Sequence, residues 1–139
     1  MNESTGLDFY MGTVVRVVDG SALDIEARQG GGVTLVLRCR LDGISVPGLD
    51  DPDAGERAVA EHAKDFVEIL ALGKVVVLSV RRDGADERGR WPVVVFWRDA
   101  AGDWSLLNAD LVANGMAAVV PPRQEKPAGY DDTAREEIA

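Results

Sequence analysis

Cysteine is almost absent. Cys39 is the only one, so an internal disulfide is excluded. It falls on the apolar side of an alternating stretch, the place of a small buried hydrophobe and not of a reactive thiol. Histidine is as scarce. His62 stands alone, with no second histidine or cysteine at ligand spacing, and is expected to pack beside a helical stripe without a chemical role. No apolar run approaches the roughly 20 residues that a bilayer crossing needs, which excludes a membrane partner of that kind. Met1 to Asp8 is polar and acidic and lacks the basic start and apolar centre of a secretory signal, so a cytoplasmic or particle-bound location is expected. Lysine is short too, with three against 12 arginines, a bias that accompanies a GC-rich genome. Positive charge as a whole is outnumbered, 15 basic residues to 24 acidic, for a net charge of -9. Nucleic-acid binders draw most of their affinity from phosphate contacts with a basic surface, so the net charge disfavours nucleic acid as a partner.

What is present reads as one globular domain. A chain of 139 residues with 46% apolar content is long and greasy enough to bury a core. Val33, Leu35, Leu37, Cys39 and Leu41 alternate with Thr34, Arg38 and Arg40, the period of a strand with one buried face. This strand breaks at Asp42-Gly43, resumes at Ile44 and stops at Pro47, which cannot continue a ladder. Upstream, Phe9 to Asp19 and Leu23 to Ala27 read as two strands joined by the turn signal Asp19-Gly20. A glycine-rich link, residues 29–32, leads into the third. Downstream, an acidic loop around Asp50, Asp51 and Asp53 precedes a helical period over Glu56 to Leu72. Val59, Ala63, Phe66, Val67 and Leu70 share its stripe, and Gly73 is its C-cap. Lys74 to Arg82 and Trp91 to Arg98 are the fourth and fifth strands, separated by a polar turn over Asp83 to Arg90. After a turn at 100–103, Ser105 to Asn114 reads as a short helix, Met116 to Val120 as extended chain, and Thr133 to Ala139 as the start of a helix. The expected fold is α+β and mainly β: a five-stranded OB-type barrel with a helix between strands 3 and 4 and a short helix after strand 5.

The order of motifs resembles the staphylococcal (thermo)nuclease family. Gly12-Thr-Val-Val-Arg-Val-Val-Asp-Gly20 with Leu23-Asp-Ile25 is similar to its opening strand and turn. Arg40-Leu-Asp-Gly-Ile-Ser-Val-Pro47 resembles its Arg-Leu-x-Gly-Ile-Asp-x-Pro-Glu segment, and Asp86-Glu-Arg-Gly-Arg-Trp91 its Asp-x-Tyr-Gly-Arg turn. Gly55 to Leu72, Gly73-Lys-Val-Val-Val77, and Ser105-Leu-Leu-Asn108 through Leu111-Val-Ala-Asn-Gly115 match the helix, the next strand and the closing block. The resemblance divides the chain into an N-terminal extension (1–8), a nuclease-like OB domain (9–120) and a polar C-terminal tail (121–139).

The resemblance implies phosphodiester hydrolysis with a bound calcium ion, a glutamate acting on water, and two arginines holding the phosphate. The arginines match, at Arg40 and Arg90. The negative half does not: Ser21 and Ser45 stand where the metal-binding aspartates would be, Val46 at the threonine and Gly48 at the glutamate. Neutral hydroxyls are poor calcium ligands. Asp19 and Asp42 have the wrong strand parity to substitute, whereas Asp50 and Asp51 lie in a loop that could swing in. The expectation is therefore a degenerate nuclease with no catalytic residues, no metal and no cofactor. Arg40 and Arg90 remain as candidates for phosphate or anion binding, or as ion-pair partners of Asp42, Asp86 or Glu87. Trp91, Trp97 and Trp104 offer stacking or packing surfaces. A protein partner is expected, in a larger assembly of which a bacteriophage virion is one example. Nucleotide or nucleic-acid binding, and hydrolysis at a relocated metal, are the alternatives.

Overall fold

The computed structural model describes residues 7–28 and 30–121. The expected polar tail (Arg123 to Gly129) and the helix expected from Thr133 lie outside these residues. The elements are β1 (Leu7–Asp19), β2 (Ala22–Arg28), β3 (Thr34–Leu41), β4 (Ile44–Ser45), α1 (Ala54–Ala71), β5 (Val75–Arg81), β6 (Trp91–Arg98), β7 (Trp104–Leu106), α2 (Leu107–Ala113) and β8 (Ala118–Val119).

The sheet runs β3-β2-β1-β5-β6-β7, and a parallel pairing of β3 with β6 closes its first five strands into a ring. The expected OB-type arrangement is thus present, with α1 between the third and fourth ring strands. One short strand was not foreseen. Trp104–Leu106 pairs with β6 before α2 begins, so the helix expected from Ser105 starts at Leu107. The extended pieces expected at Ile44 and over Met116 to Val120 contain β4 and β8, which pair with each other. A run of three residues carries too little period to register in a sequence window, and a pairing between distant pieces carries none.

β1 is the hinge of the ring. Its first half pairs with β5 from Leu7 to Thr13, and its second half pairs with β2 from Gly12 onward. Two register shifts in the β1–β2 ladder, between Val14 and Arg16 and between Val17 and Asp19, bend the strand as bulges do. Gly12 sits at the crossover, opposite both Ala27 and Val76.

Valines, leucines and isoleucine from the ring's inner face form the core with α1 and α2, including Val14, Leu23, Ile25, Leu41, Leu78 and Val95, all fully buried. Cys39 is among them. Burial, with the charge of Asp24 second, pushes its thiol up to about 12, so it is an inert hydrophobe at neutral pH, as expected. The alternation in β3 holds only for its second half: Leu37 is half-buried and Cys39 and Leu41 are buried, but Val33 and Leu35 are exposed. The strand projects past the core there, so period alone overstated the buried face.

α1 is capped as its sequence predicts. The Asp53 carboxylate accepts the Glu56 N–H (2.9 Å), and Gly73, at φ +78°, follows the C-cap and donates its N–H to the Val14 carbonyl (2.8 Å). The face that it buries is of small residues, Ala60, Ala63 and Ala71 with Val67. This lets the helix approach the β1–β2 turn until a Cβ at Gly20 would lie 2.6 Å from that of Ala63. Gly20 is not at positive φ. It is glycine because the helix leaves no room for a side chain. His62 is exposed on α1, not packed beside the stripe as expected.

Candidate functional site

One end of the ring gathers the residues singled out from the sequence. Arg40 lies opposite Ala22 in the β2–β3 ladder and opposite Pro92 in the parallel β3–β6 pairing, which brings the polar loop before β6 alongside it. Asp42 begins the turn after β3 and Arg81 ends β5. The resulting cluster alternates in charge: Arg81 Nε is 3.5 Å from Asp42 Oδ2, Asp42 Oδ1 is 3.8 Å from Arg40, Arg40 Nε is 3.5 Å from Asp86 Oδ2, and that oxygen is 3.1 Å from Arg90 Nε. The two candidate arginines therefore share one carboxylate. Arg40, Asp86, Glu87, Arg88 and Arg90 line a cleft of about 360 Å³.

Asp86 organises the loop as well as the charges. Its Oδ1 accepts the N–H groups of Arg88 and Arg90, both at 2.9 Å, and its own N–H donates to the Arg90 carbonyl at 2.7 Å. Partial burial pulls the Asp86 pKa upward, but the Arg90 and Arg88 N–H groups and the Arg90 guanidinium outweigh it and hold the carboxyl below its usual range. A depressed folded pKa means that the unfolded chain binds the proton first as pH falls. The contribution is present above the ordinary value of 3.8 and is lost as pH drops through the folded pKa. Asp86→Asn keeps an Oδ1 acceptor for the loop, removes the charge, and puts an amide donor where Oδ2 accepts the Arg90 Nε–H. Urea unfolding of both proteins should show the parent more stable near neutrality, with the gap narrowing below pH 3.8; a gap independent of pH would refute this assignment.

The family positions that lack acids lie in the β1–β2 turn, on β4 and in the loop after it. Ser21 occupies the β1–β2 turn, where its N–H and Oγ donate to Asp19 Oδ1 at 2.8 and 3.0 Å, and its carbonyl accepts the Leu41 N–H at 2.8 Å. Val46 packs on the core, its Cγ1 3.0 Å from where a Cβ of Gly20 would stand. Ser45 is exposed on β4 and Gly48 is exposed in the following loop. Asp51 Oδ1 accepts the Asp53 N–H at 2.9 Å, so that carboxylate serves the start of α1. Asp42, named with Asp86 and Glu87 as an ion-pair partner for the candidate arginines, reaches Arg40 from the turn, and Arg81 as well. Among the described residues, no three or more of His, Cys, Asp and Glu are grouped so that they could hold a metal.

Three residues, two of this end and one that bonds further along β6, were not recognised from the sequence. Arg81 was read as part of the fourth strand, and it pairs with Asp42 across β6. Asn108 is buried on α2: its Nδ2 donates to the Asp42 carbonyl (2.9 Å) and the Val93 carbonyl (3.1 Å), and its Oδ1 accepts the Val95 N–H (3.0 Å). Asp110 accepts the Trp97 indole N–H at 2.7 Å and the Ser105 hydroxyl at 2.8 Å. Among the tryptophans, Trp91 and Trp97 pack against the core, and Trp104 is half exposed beneath the Arg98 guanidinium. The Asn108 side chain was legible only as one letter of a motif.

A family model described as Staphylococcal nuclease homologue matches residues 38–138. No curated protein matches the chain.

Proposed function

The chain belongs to the staphylococcal nuclease homologue family, and we propose that this member is a non-catalytic OB-type module that works by binding protein, as a subunit of a larger assembly such as a phage particle. The observation that carries the reading is the donor set at the family's metal position. Two hydroxyls, a valine and a glycine (Ser21, Ser45, Val46 and Gly48) stand at the positions where the family pattern has its acids and threonine, while both arginine positions keep arginine. A calcium ion takes six or more oxygen ligands, with charged carboxylates supplying most of the affinity. These residues do not fit one. Without that ion and without a carboxylate at Gly48, neither activation of water nor neutralisation of the growing phosphate charge is provided. Arg40 and Arg90, moreover, already have a carboxylate in common.

The test compares cleavage of DNA and RNA with and without calcium by the parent and by Ser21→Asp/Ser45→Asp/Gly48→Glu. The parent should show no calcium-dependent cleavage. The triple variant should gain calcium binding, read by calorimetry. Calcium-dependent cleavage by the parent, lost on changing Asp50 or Asp51 and indifferent to Ser45, would replace this proposal with a relocated metal site.

The cleft between Arg40 and Arg90 supports a second reading, a metal-independent site for a nucleotide or another phosphate. Its signature is oligonucleotide binding that weakens steeply with salt and is lost in Arg40→Ala.

A further inference from the structure

Over most of its length the outer edge of β3 has no strand paired with it among the described residues. The Leu41 N–H donates to Ser21 of the β1–β2 turn, and the Asp42 N–H donates to Val93 of β6. Main-chain groups alternate along a strand, so odd-numbered residues of β3 address β2 and even-numbered ones address the other side. β6 occupies that other side only from Cys39 to Leu41. Thr34, Val36 and Arg38 therefore direct their N–H and C=O groups away from β2, where no strand pairs with them among the described residues.

The usual protections of an edge are lacking. The β2–β3 ladder runs through seven consecutive pairs without a bulge, and this stretch of β3 contains no proline or lysine. Its one charge, Arg38, is bonded to Asp24 of the neighbouring strand. The side chains are apolar and open: Val33, Leu35 and Val36 are 56%, 48% and 59% exposed.

We propose that a second copy of this chain adds to this edge, β3 against β3, in an antiparallel two-fold pairing centred on Val36. Charge selects the occupant. The chain carries -9 overall, yet residues 30–37 hold no charged side chain, so two acidic copies meet here without opposing like charges. The sequence is also self-complementary in that register. Val36 faces Val36 of the second copy, Leu35 faces Leu37 on the other side of the sheet, and Thr34 faces Arg38. An isologous contact of this kind closes on itself and leaves no β3 edge to propagate. The inference goes beyond the proposed function and does not depend on whether the Arg40 cluster is catalytic.

Sedimentation velocity of the full chain, from about 1 µM to about 1 mM, reads the association directly. The parent should reach the mass of two copies. Val36→Lys and Val36→Glu alter an exposed side chain and should leave the circular dichroism unchanged. Each alone should weaken the dimer at least tenfold or so, by placing like charges face to face. An equimolar mixture of the two should restore it, which only pairing of position 36 with itself predicts. A parent that stays monomeric at the highest concentration overturns the proposal, as does a dimer indifferent to both variants. A monomer that instead binds an extended apolar peptide also overturns it and assigns the edge to a foreign strand. None of these results alters the outcome of the cleavage assay, so the two proposals fail separately.

Discussion

Replacing Asn108 with alanine should lower folding stability by about 3 kcal/mol, a fall of roughly 12 °C in Tm. The side chain is 5% exposed and all of its hydrogen-bonding atoms have partners inside the protein. Alanine removes those partners. The Val95 N–H, the Val93 carbonyl and the Asp42 carbonyl would each lose a bond, at about 1 kcal/mol or more apiece where desolvated. The damage is also directional. Asn108 holds the turn that presents Asp42 to Arg40 and Arg81, so the charge cluster should loosen along with α2. Asn108→Asp is the informative companion. It retains an acceptor for the Val95 N–H but sets a carboxylate against two carbonyl oxygens, and should rescue little. Thermal and urea unfolding measure both. A loss under about 1 kcal/mol for Asn108→Ala would mean that the three groups find other partners.

Gly12→Val should be nearly as costly, at about 3 kcal/mol. A Cβ on Gly12 would lie 2.6 Å from Ile25 Cγ2, 2.8 Å from the Glu26 carbonyl oxygen and 3.3 Å from Ala27 Cα. Ile25 is fully buried and has little freedom to withdraw, and the other two atoms are β2 backbone. The strand must therefore shift where β1 passes from β5 to β2, the point on which ring closure depends. Valine has high strand propensity, so a propensity argument predicts the opposite sign. Equilibrium unfolding decides between them: a Gly12→Val protein as stable as the parent would show that β1 and β2 can separate without loss.

How much was legible follows from the range over which each feature is encoded. β6 was read with its bounds intact, Trp91–Arg98, because a continuous β-branched run between two turn signals is a local property. α1 was read within two residues at its start, since Asp53 and Gly73 announce its caps. β3 was read with a buried face that is real only from Leu37 onward, because alternation states which residues share a side and not whether anything covers it. β4 and β8 lie in stretches read as extended, but their pairing with each other across the intervening chain was not legible.

The site divides in the same way. The residue types at Ser21, Ser45, Val46 and Gly48 are a property of the sequence, and no folding supplies a carboxylate where the chain has none. The family followed from motif order. What only the tertiary structure decided is which groups meet. Arg40 and Arg90 share Asp86, Asp42 is reached by Arg81 across β6, and Asn108 bonds a carbonyl 66 positions earlier. These partnerships depend on the bend of β1 and on the parallel closure of β3 with β6. Both arise from strand twist and packing summed around the ring, and a period of two or 3.6 residues carries no record of that sum.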